Sequence, residues 1–152
     1  MPSLFKLMLN ASVIAAILLL AACSGTLPKH LSHNQFTLTN YPNTPNCVSS
    51  KAKTDDHYIQ PITTNLSKKA AINLLINVIS NHPNLSLVKQ HESYLYAQFT
   101  SDTLGFVDDL EFIMTDKLIH IRSASRIGYS DFGANRQHLE AIRRAFKSPS
   151  FK

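Results

Sequence analysis

The densest polar stretch of the chain runs from Arg122 to Arg136 and contains residue types that bind anions. Guanidinium groups bind phosphate or carboxylate through two parallel hydrogen bonds, and the free N–H groups at the start of a helix favour the same ligands. A helix is predicted to begin at the end of this stretch. The pattern therefore predicts an anion site whose candidate ligands are Arg122, Ser123, Ser125, Arg126 and Arg136.

Acidic side chains close to these arginines support a second, structural interpretation. Three arginines are matched by four carboxylates, so the charges nearly balance. A salt-bridge network could then hold the loop against the rest of the domain, although a buried network of this kind is weak evidence of net stability. Ligand binding and structure both remain open for the candidate polar network, which comprises Asp108, Asp109, Glu111, Arg122, Ser123, Ser125, Arg126, Asp131, Asn135 and Arg136.

Nucleophilic catalysis is the other chemistry that the residue types allow. Cys47 with His57 would form a thiol–imidazole pair. The members of a hydrolytic triad could come from Ser49 or Ser50, from His57 or His120, and from Asp55 or Asp109. No nucleophile-elbow motif surrounds either serine. Cys47 itself has three interpretations: a buried structural residue, a reactive thiol, or one half of an intermolecular disulfide.

Metal, cofactor and nucleic-acid chemistry are not indicated. The seven histidines are scattered, and apart from His30 and His33 no pair has the spacing of metal ligands. The formal net charge of +5 is spread thinly along the chain, without the basic block that nucleic-acid binding requires. We expect no metal, no cofactor and no nucleic-acid partner.

An apolar run from Leu7 to Leu20 follows a single cation, Lys6, and has the form of a secretory signal. It is too short for a membrane-spanning helix, which needs about 20 apolar residues. Its end, Leu20-Ala21-Ala22-Cys23, resembles a bacterial lipobox. The resemblance implies that Cys23 receives a diacylglyceryl group, that cleavage removes residues 1–22, and that the new amino terminus is acylated. An ordinary signal peptide cleaved after Ala22 is the alternative.

The lipid on Cys23 would make the membrane the first partner of the mature protein. Each buried methylene contributes about 0.8 kcal/mol, so two or more acyl chains hold a protein firmly. Ser24 resembles an outer-membrane address, which predicts a bacterial envelope protein facing the periplasm. Residues 23–46 are rich in Asn, Thr, Pro and Ser and predict a flexible tether, from which Gln35 to Leu38 could still dock as an extended arm. Residues 47–152 are predicted to form a single α+β domain.

Two amphipathic helices are predicted in that domain. The first runs from Ser67 to Ser80, with Ser67 as its N-cap and a stop at Pro83. The second runs from Asn135 to Lys147, with Asn135 as its cap. Each has one apolar face at the spacing of helical turns.

Alternating apolar and polar residues predict four strands, Leu85–Gln90, Ser93–Thr100, Phe106–Thr115 and Leu118–Ser123. A two-residue turn at positions 116 and 117 would pair Met114 with Ile119 and Glu111 with Arg122. The predicted fold is α+β, a four-stranded antiparallel sheet with an N-terminal and a C-terminal helix on one face. The opposite face would carry the polar positions Tyr94, Tyr96, Asp109, Glu111, His120 and Arg122.

Four separated motifs resemble a known family. They are Cys47 to Ser50, Ile59 with Pro61, Phe106 to Phe112, and Arg-Ser-Ala-Ser-Arg-x-Gly-x-x-Asp-x-Gly-x-Asn-Arg from Arg122 onward. In this order they resemble the bacterial and plastid proteins grouped as domain of unknown function 1499. The resemblance spans roughly residues 47–146 and implies no particular activity, although members often carry export or anchoring segments.

These patterns together predict an envelope lipoprotein that acts as a non-enzymatic binding or scaffold component with a candidate anion site. Its expected partners are the membrane and a small anionic ligand or an envelope protein. The alternative is a hydrolase or other enzyme that uses Cys47 or the Asp/Glu/Arg cluster. Arginines that converge on an open pocket would favour binding, whereas arginines already paired with carboxylates would favour a scaffold.

Overall fold

The computed structural model describes residues 25–32, 36–38 and 44–148, and these residues form an α+β domain. The signal peptide expected at residues 1–22 and the lipidation site expected at Cys23 lie outside the described residues. No helix in the described ranges is long and apolar enough to cross a membrane. The elements are α1 Lys29–Ser32, β1 Cys47–Ser49, β2 Ile62–Thr63, α2 Lys68–Ser80, β3 Leu85–His91, β4 Tyr94–Thr100, β5 Val107–Met114, β6 Leu118–Ser125 and α3 Ala134–Lys147.

The described strands form one antiparallel sheet of six, two more than predicted. Its order is β1-β6-β5-β4-β3, and β2 also pairs with β6. The two strands that the prediction missed are β1 and β2, which both pair with the outer edge of β6. Cys47 of β1 lies opposite Ala124, and Ile62 of β2 lies opposite Ile119. Strands of three and two residues are too short to show an alternating pattern. At the other edge, the register of β3 shifts irregularly between Leu87 and Lys89.

The predicted hairpin between β5 and β6 is confirmed residue by residue. Met114 lies opposite Ile119, and Glu111 lies opposite Arg122. The turn closes with a 2.8 Å hydrogen bond from the Thr115 N–H to the Leu118 carbonyl oxygen. Because side chains alternate with period two, this register sends Leu110 and Phe112 to one face and Asp109 and Glu111 to the other.

Helices α2 and α3 cover one face of the sheet, as predicted. The Ser67 hydroxyl oxygen accepts a hydrogen bond from the Ala70 N–H, which confirms Ser67 as the N-cap of α2. The apolar faces of the helices pack against alternate residues of the central strands, and each fully buried aliphatic side chain there contributes about 1.5–3 kcal/mol. The largest fully buried members of this core are Ile59, Ile62, Leu75, Ile79, Leu95, Leu110, Phe112, Ile119, Ile121, Leu139 and Ile142.

The N-terminal segment covers part of the opposite face of the sheet. Leu31 is buried against Tyr94 and Tyr96, and its carbonyl oxygen accepts a 3.2 Å hydrogen bond from Lys89 Nζ. Leu38 is also buried. Leu31 and Leu38 therefore pack against the domain, and the tether expected over residues 23–46 stays a prediction. Burial of the two leucines supplies free energy that offsets the lost chain entropy.

Candidate functional site

Two rows of paired polar side chains cross the sheet face that lies away from the helices. In the first row, Tyr94 Oη donates a 2.9 Å hydrogen bond to one oxygen of Glu111. Arg122 Nη1 lies 2.5 Å from the other oxygen of the same carboxylate. Glu111 has no solvent exposure, and Arg122 has almost none. The row thus links β4, β5 and β6 with a fully buried ion pair at its centre.

The second row repeats this arrangement two residues along β5. Tyr96 Oη donates a 2.6 Å hydrogen bond to Asp109 Oδ1. Arg126 approaches the same carboxylate with Nη2 at 2.8 Å and Nε at 3.0 Å, and its Nη2 also donates to Tyr96 Oη. The hydrogen bond to Asp109 raises the pKa of Arg126. Burial, reinforced by the neighbouring carboxylates, raises the pKa of Tyr94 and of Tyr96, so both phenols stay protonated.

The three arginines of the candidate anion site do not converge. Arg122 and Arg126 each use their guanidinium group on a buried carboxylate. Arg136 lies apart on α3 and donates hydrogen bonds to the carbonyl oxygens of Tyr58 at 2.8 Å and Asp56 at 2.9 Å. By the criterion of pairing with carboxylates, this geometry favours the structural interpretation of Arg122 and Arg126.

Cys47 has the environment of a structural residue. Its side chain is fully buried, and burial raises the pKa of its thiol to about 11, with Arg122 opposing the increase only in part. A thiolate is the nucleophilic form of cysteine, so this thiol is poorly suited to attack at neutral pH. His57 Nδ1 lies 2.8 Å from the Cys47 carbonyl oxygen, which gives that ring nitrogen a main-chain partner.

Ser50 and His120 are a serine–histidine pair whose side chains lie close together, whereas the Ser49 N–H bonds the His57 carbonyl oxygen through the main chain. Ser50 Oγ lies 3.3 Å from His120 Nδ1 and accepts a 2.9 Å hydrogen bond from the Ile121 N–H. Desolvation by burial and then the charge of Lys51 lower the pKa of His120. The pair ties the turn after β1 to β6, beside a cavity of about 380 Å³ that His120 and Lys51 help to line.

Asn135 is not the cap of the last helix, which corrects the sequence prediction. The N-cap is Gly133, whose φ of 82° lies in the left-handed region that glycine adopts without strain. The Asp131 carboxylate instead accepts hydrogen bonds from the N–H groups of Gly133 at 3.0 Å and Asn135 at 2.7 Å. A protein carboxylate thus already occupies the electropositive start of the helix.

The Asn135 side chain is a fully buried hub between β1, β6 and α3. Its Nδ2 donates to the Asn46 carbonyl oxygen at 3.0 Å and to Ser125 Oγ at 2.9 Å. Ser123 Oγ donates to Asn135 Oδ1. The two serines proposed as anion ligands therefore hold this hub, and we infer a structural role for them.

A family model described as protein of unknown function (DUF1499) matches residues 37–146, which is more than half of the chain. The chain belongs to the DUF1499 family. No curated protein and no solved structure matches it. Within the described residues of this DUF1499 protein, no group of three or more His, Cys, Asp or Glu side chains is placed to hold a metal ion.

Asp108 lies on the other side of the DUF1499 sheet from the network to which it was assigned. It follows the period of Leu110 and Phe112, so it points toward the helices, where its Oδ2 lies 3.4 Å from His138 Nδ1. His138 stacks on Phe99 with ring centroids 3.7 Å apart. The alternation of side chains along β5 could have separated Asp108 from Asp109 and Glu111, because it places Asp108 on the same face as Leu110 and Phe112.

The Asp108–His138 pair lines a cleft of about 490 Å³ that sequence reasoning did not identify. The cleft lies between residues 126–133, here called the polar loop, and the connection from β4 to β5. Phe99, Phe106 and Phe132 give it apolar walls, and Asp102, Asp108 and Asp131 give it three carboxylates. Although His138 Nδ1 is buried, it has no hydrogen-bond partner. This cleft is the candidate functional site of the DUF1499 domain.

Proposed function

We propose that this protein is a lipid-anchored component of the bacterial envelope that binds a ligand in the cleft beneath the polar loop. The observation that carries the proposal is a buried polar atom without a hydrogen bond on a residue that lines a cleft. Arg122 Nε and His138 Nδ1 are both buried without a hydrogen-bond partner. Arg122 is held by Glu111 within the sheet, whereas His138, 3.4 Å from Asp108, lines the cleft. Buried polar groups without partners are rare and mark sites that a ligand could complete.

The lining of the cleft indicates the class of ligand. Aromatic walls suit an apolar or sugar-like body. The Asp108 carboxylate suits a group that donates hydrogen bonds or carries positive charge, and the carboxylates of Asp102 and Asp131 add negative charge to the cleft. The proposed ligand is therefore amphipathic and not a simple anion, which revises the anion site expected from the sequence. A protein segment of the envelope with an aromatic and a basic residue would fit the same chemistry.

The attachment to the membrane is supported by the sequence from Leu20 to Cys23. Mass spectrometry of the amino-terminal peptide tests it on the full chain expressed in a bacterium. We expect a peptide that begins at Cys23 and carries the mass of the attached acyl chains, with the protein in the outer-membrane fraction. The Cys23→Ser variant is the control and should lack the mass of the attached acyl chains. An unmodified amino-terminal Cys23 would refute the attachment.

The binding role is tested by thermal shift of the mature protein against sugars, basic peptides, polyamines and inorganic phosphate. A ligand of the cleft should raise the unfolding temperature of the wild type but not of Asp108→Asn. Asp116→Asn is the matched control, because Asp116 is exposed at the β5–β6 turn at the far end of the sheet. A shift that survives in Asp108→Asn would exclude the cleft, and a shift with phosphate alone would restore the anion interpretation.

A hydrolase that uses Ser50 and His120 is the second candidate. The 3.3 Å approach of Ser50 Oγ to His120 Nδ1 beside a cavity favours it. A fluorophosphonate probe, which forms a covalent adduct with activated serines, tests it directly. If the wild type is labelled and the Ser50→Ala variant is not, the hydrolase proposal is supported. A wild type that is not labelled would refute the hydrolase proposal.

A further inference from the structure

The first residue that the structure describes, Gly25, lies tightly against the beginning of the polar loop. A Cβ atom built at Gly25 would lie 2.7 Å from Arg126 Cβ and 2.8 Å from Ile127 Cγ2. The φ of Gly25 is +63°, a conformation that other residues rarely adopt. Two independent constraints therefore require glycine here and fix the chain against Arg126 and Ile127.

This contact determines where the proposed lipid would sit, and the inference rests on the proposed acylation of Cys23. Consecutive Cα atoms are about 3.8 Å apart, so the Cα of Cys23 is within about 8 Å of the Cα of Gly25. Acyl chains attached at that position bring the bilayer surface to the end of the sheet where the polar loop lies. A docked segment leaves the domain little freedom to move away from this surface.

The same end of the sheet exposes large aromatic side chains. Phe132 is 94% exposed and Tyr129 is 74% exposed on the polar loop, and Phe106 is 40% exposed across the cleft. These three residues are called the aromatic rim. Phe132 also has a φ of 52°, which is uncommon for a bulky residue and costs free energy. Because Phe132 is both strained and exposed, we infer that its ring contacts a partner surface outside the domain.

We propose that the aromatic rim inserts into the interfacial region of the phospholipid membrane that holds the lipid anchor. Tyrosine is favoured at the boundary between head groups and acyl chains, and phenylalanine on an interfacial surface buries its ring in the adjoining apolar region. Phe106 and Phe132 also line the cleft, so this orientation opens the cleft at the membrane surface. The rim then adds a second contact to the covalent one, and the domain lies on the bilayer in one orientation.

Tryptophan fluorescence tests this orientation without background, because the chain has no tryptophan. Phe132→Trp and Tyr129→Trp are the probes. Leu66→Trp is the matched control: Leu66 is 42% exposed and lies at the opposite end of β6, close to where the Thr64 N–H bonds the Lys117 carbonyl oxygen. Each variant is purified from bacterial membranes and placed in phosphatidylethanolamine and phosphatidylglycerol vesicles with or without brominated acyl chains.

We expect brominated lipid to reduce the emission of the Phe132→Trp and Tyr129→Trp variants at least twofold and to leave the emission of Leu66→Trp nearly unchanged. Vesicle flotation and the mass of the amino-terminal peptide are measured on the same samples. Acylated protein that floats but shows equal quenching in all three variants would refute the orientation and leave the anchor intact. Protein without acyl mass would refute both proposals. A rim covered by a protein partner would also leave Phe132→Trp unquenched and would overturn the inference.

Discussion

The two faces of β5 are equally buried at its centre but are stabilised by different chemistry. On β5, Leu110 and Phe112 point into the apolar core, while Asp109 and Glu111 point to the opposite face with no solvent exposure. The apolar face gains free energy from the area removed from water, which depends little on direction. The charged face keeps its charges only because each carboxylate has fixed partners. Depth of burial alone therefore does not distinguish an apolar core from a polar network; the register of the strands does.

This difference implies unequal tolerance of substitution. A core side chain replaced by a smaller one loses contacts in proportion to the cavity left behind. A buried ion pair that loses one member leaves the other charged, desolvated and unpaired. The charged face should therefore respond more sharply to small chemical changes than the apolar face responds to larger ones.

The largest effect is expected for Glu111→Gln, which removes the charge opposite Arg122 and keeps the shape. The buried guanidinium group would lose its counter-charge, and the free energy of unfolding should fall by about 3–5 kcal/mol. Urea denaturation measures the change. The double variant Glu111→Leu, Arg122→Met is the control and should recover most of the loss. A fall below about 1 kcal/mol in Glu111→Gln would contradict the comparison between the faces.

Leu110→Ala tests the apolar face at the neighbouring position of the same strand. Removing this fully buried side chain should cost about 3 kcal/mol through lost transfer free energy and the remaining cavity. The same urea measurement applies. A loss clearly larger than that of Glu111→Gln would show that the apolar face is the more sensitive of the two.

The third prediction concerns pH and Cys47. Its folded pKa, raised by burial to about 11, exceeds the ordinary value of 9.0, so the folded state holds its proton more strongly than the unfolded state does. The stabilisation from the neutral thiol is complete below about pH 9 and is lost as pH rises toward 11, by about 2–3 kcal/mol. Urea denaturation from pH 8 to 11 should show a shallower loss in Cys47→Ala. An identical slope in both proteins would place the thiol in contact with water.

Tyr94→Phe should have the smallest effect. The variant keeps the ring and removes one hydrogen bond to Glu111, which accepts others in the same row, so the expected loss is about 1–2 kcal/mol. Leu95→Ile, on the opposite face of the same strand, is the volume-matched control and should cost less than about 1.5 kcal/mol. A Tyr94→Phe loss close to that of Glu111→Gln would mean that the row acts as one unit.

Sequence patterns predicted the helices and the long strands, because apolar side chains recur in them at a short, regular spacing. The β5–β6 register could be predicted because a one-residue shift would place Met114 and Phe112 on the wrong face. Ser67 was identified because capping depends on local chemistry. The short strands β1 and β2 could not be predicted, since their pairing with β6 depends on the tertiary fold alone.

The polar site was harder to predict, because the type of a polar residue does not determine which residue it pairs with in the folded domain. Asn135 has the preferences of a helix cap, yet its amide serves a buried hub and Asp131 supplies the capping bonds. Asp108 and Asp109 are adjacent in sequence but lie on opposite faces, one beside His138 and the other beside Arg126. Docking of Leu38 was an alternative that the sequence left open, whereas the burial of Leu31 was obscured by the polar residues around it. Acylation of Cys23 remains a prediction.

The irregular register of β3 has a consequence for how copies of this protein meet. β3 is an edge strand of the sheet, and an edge strand exposes unpaired N–H and C=O groups that can recruit another chain. The irregularity between Leu87 and Lys89 bends this edge, and Lys89 adds a charged side chain to it. Neighbouring copies therefore meet no straight template for adding a strand, which protects the exposed Val88 from nucleating aggregation.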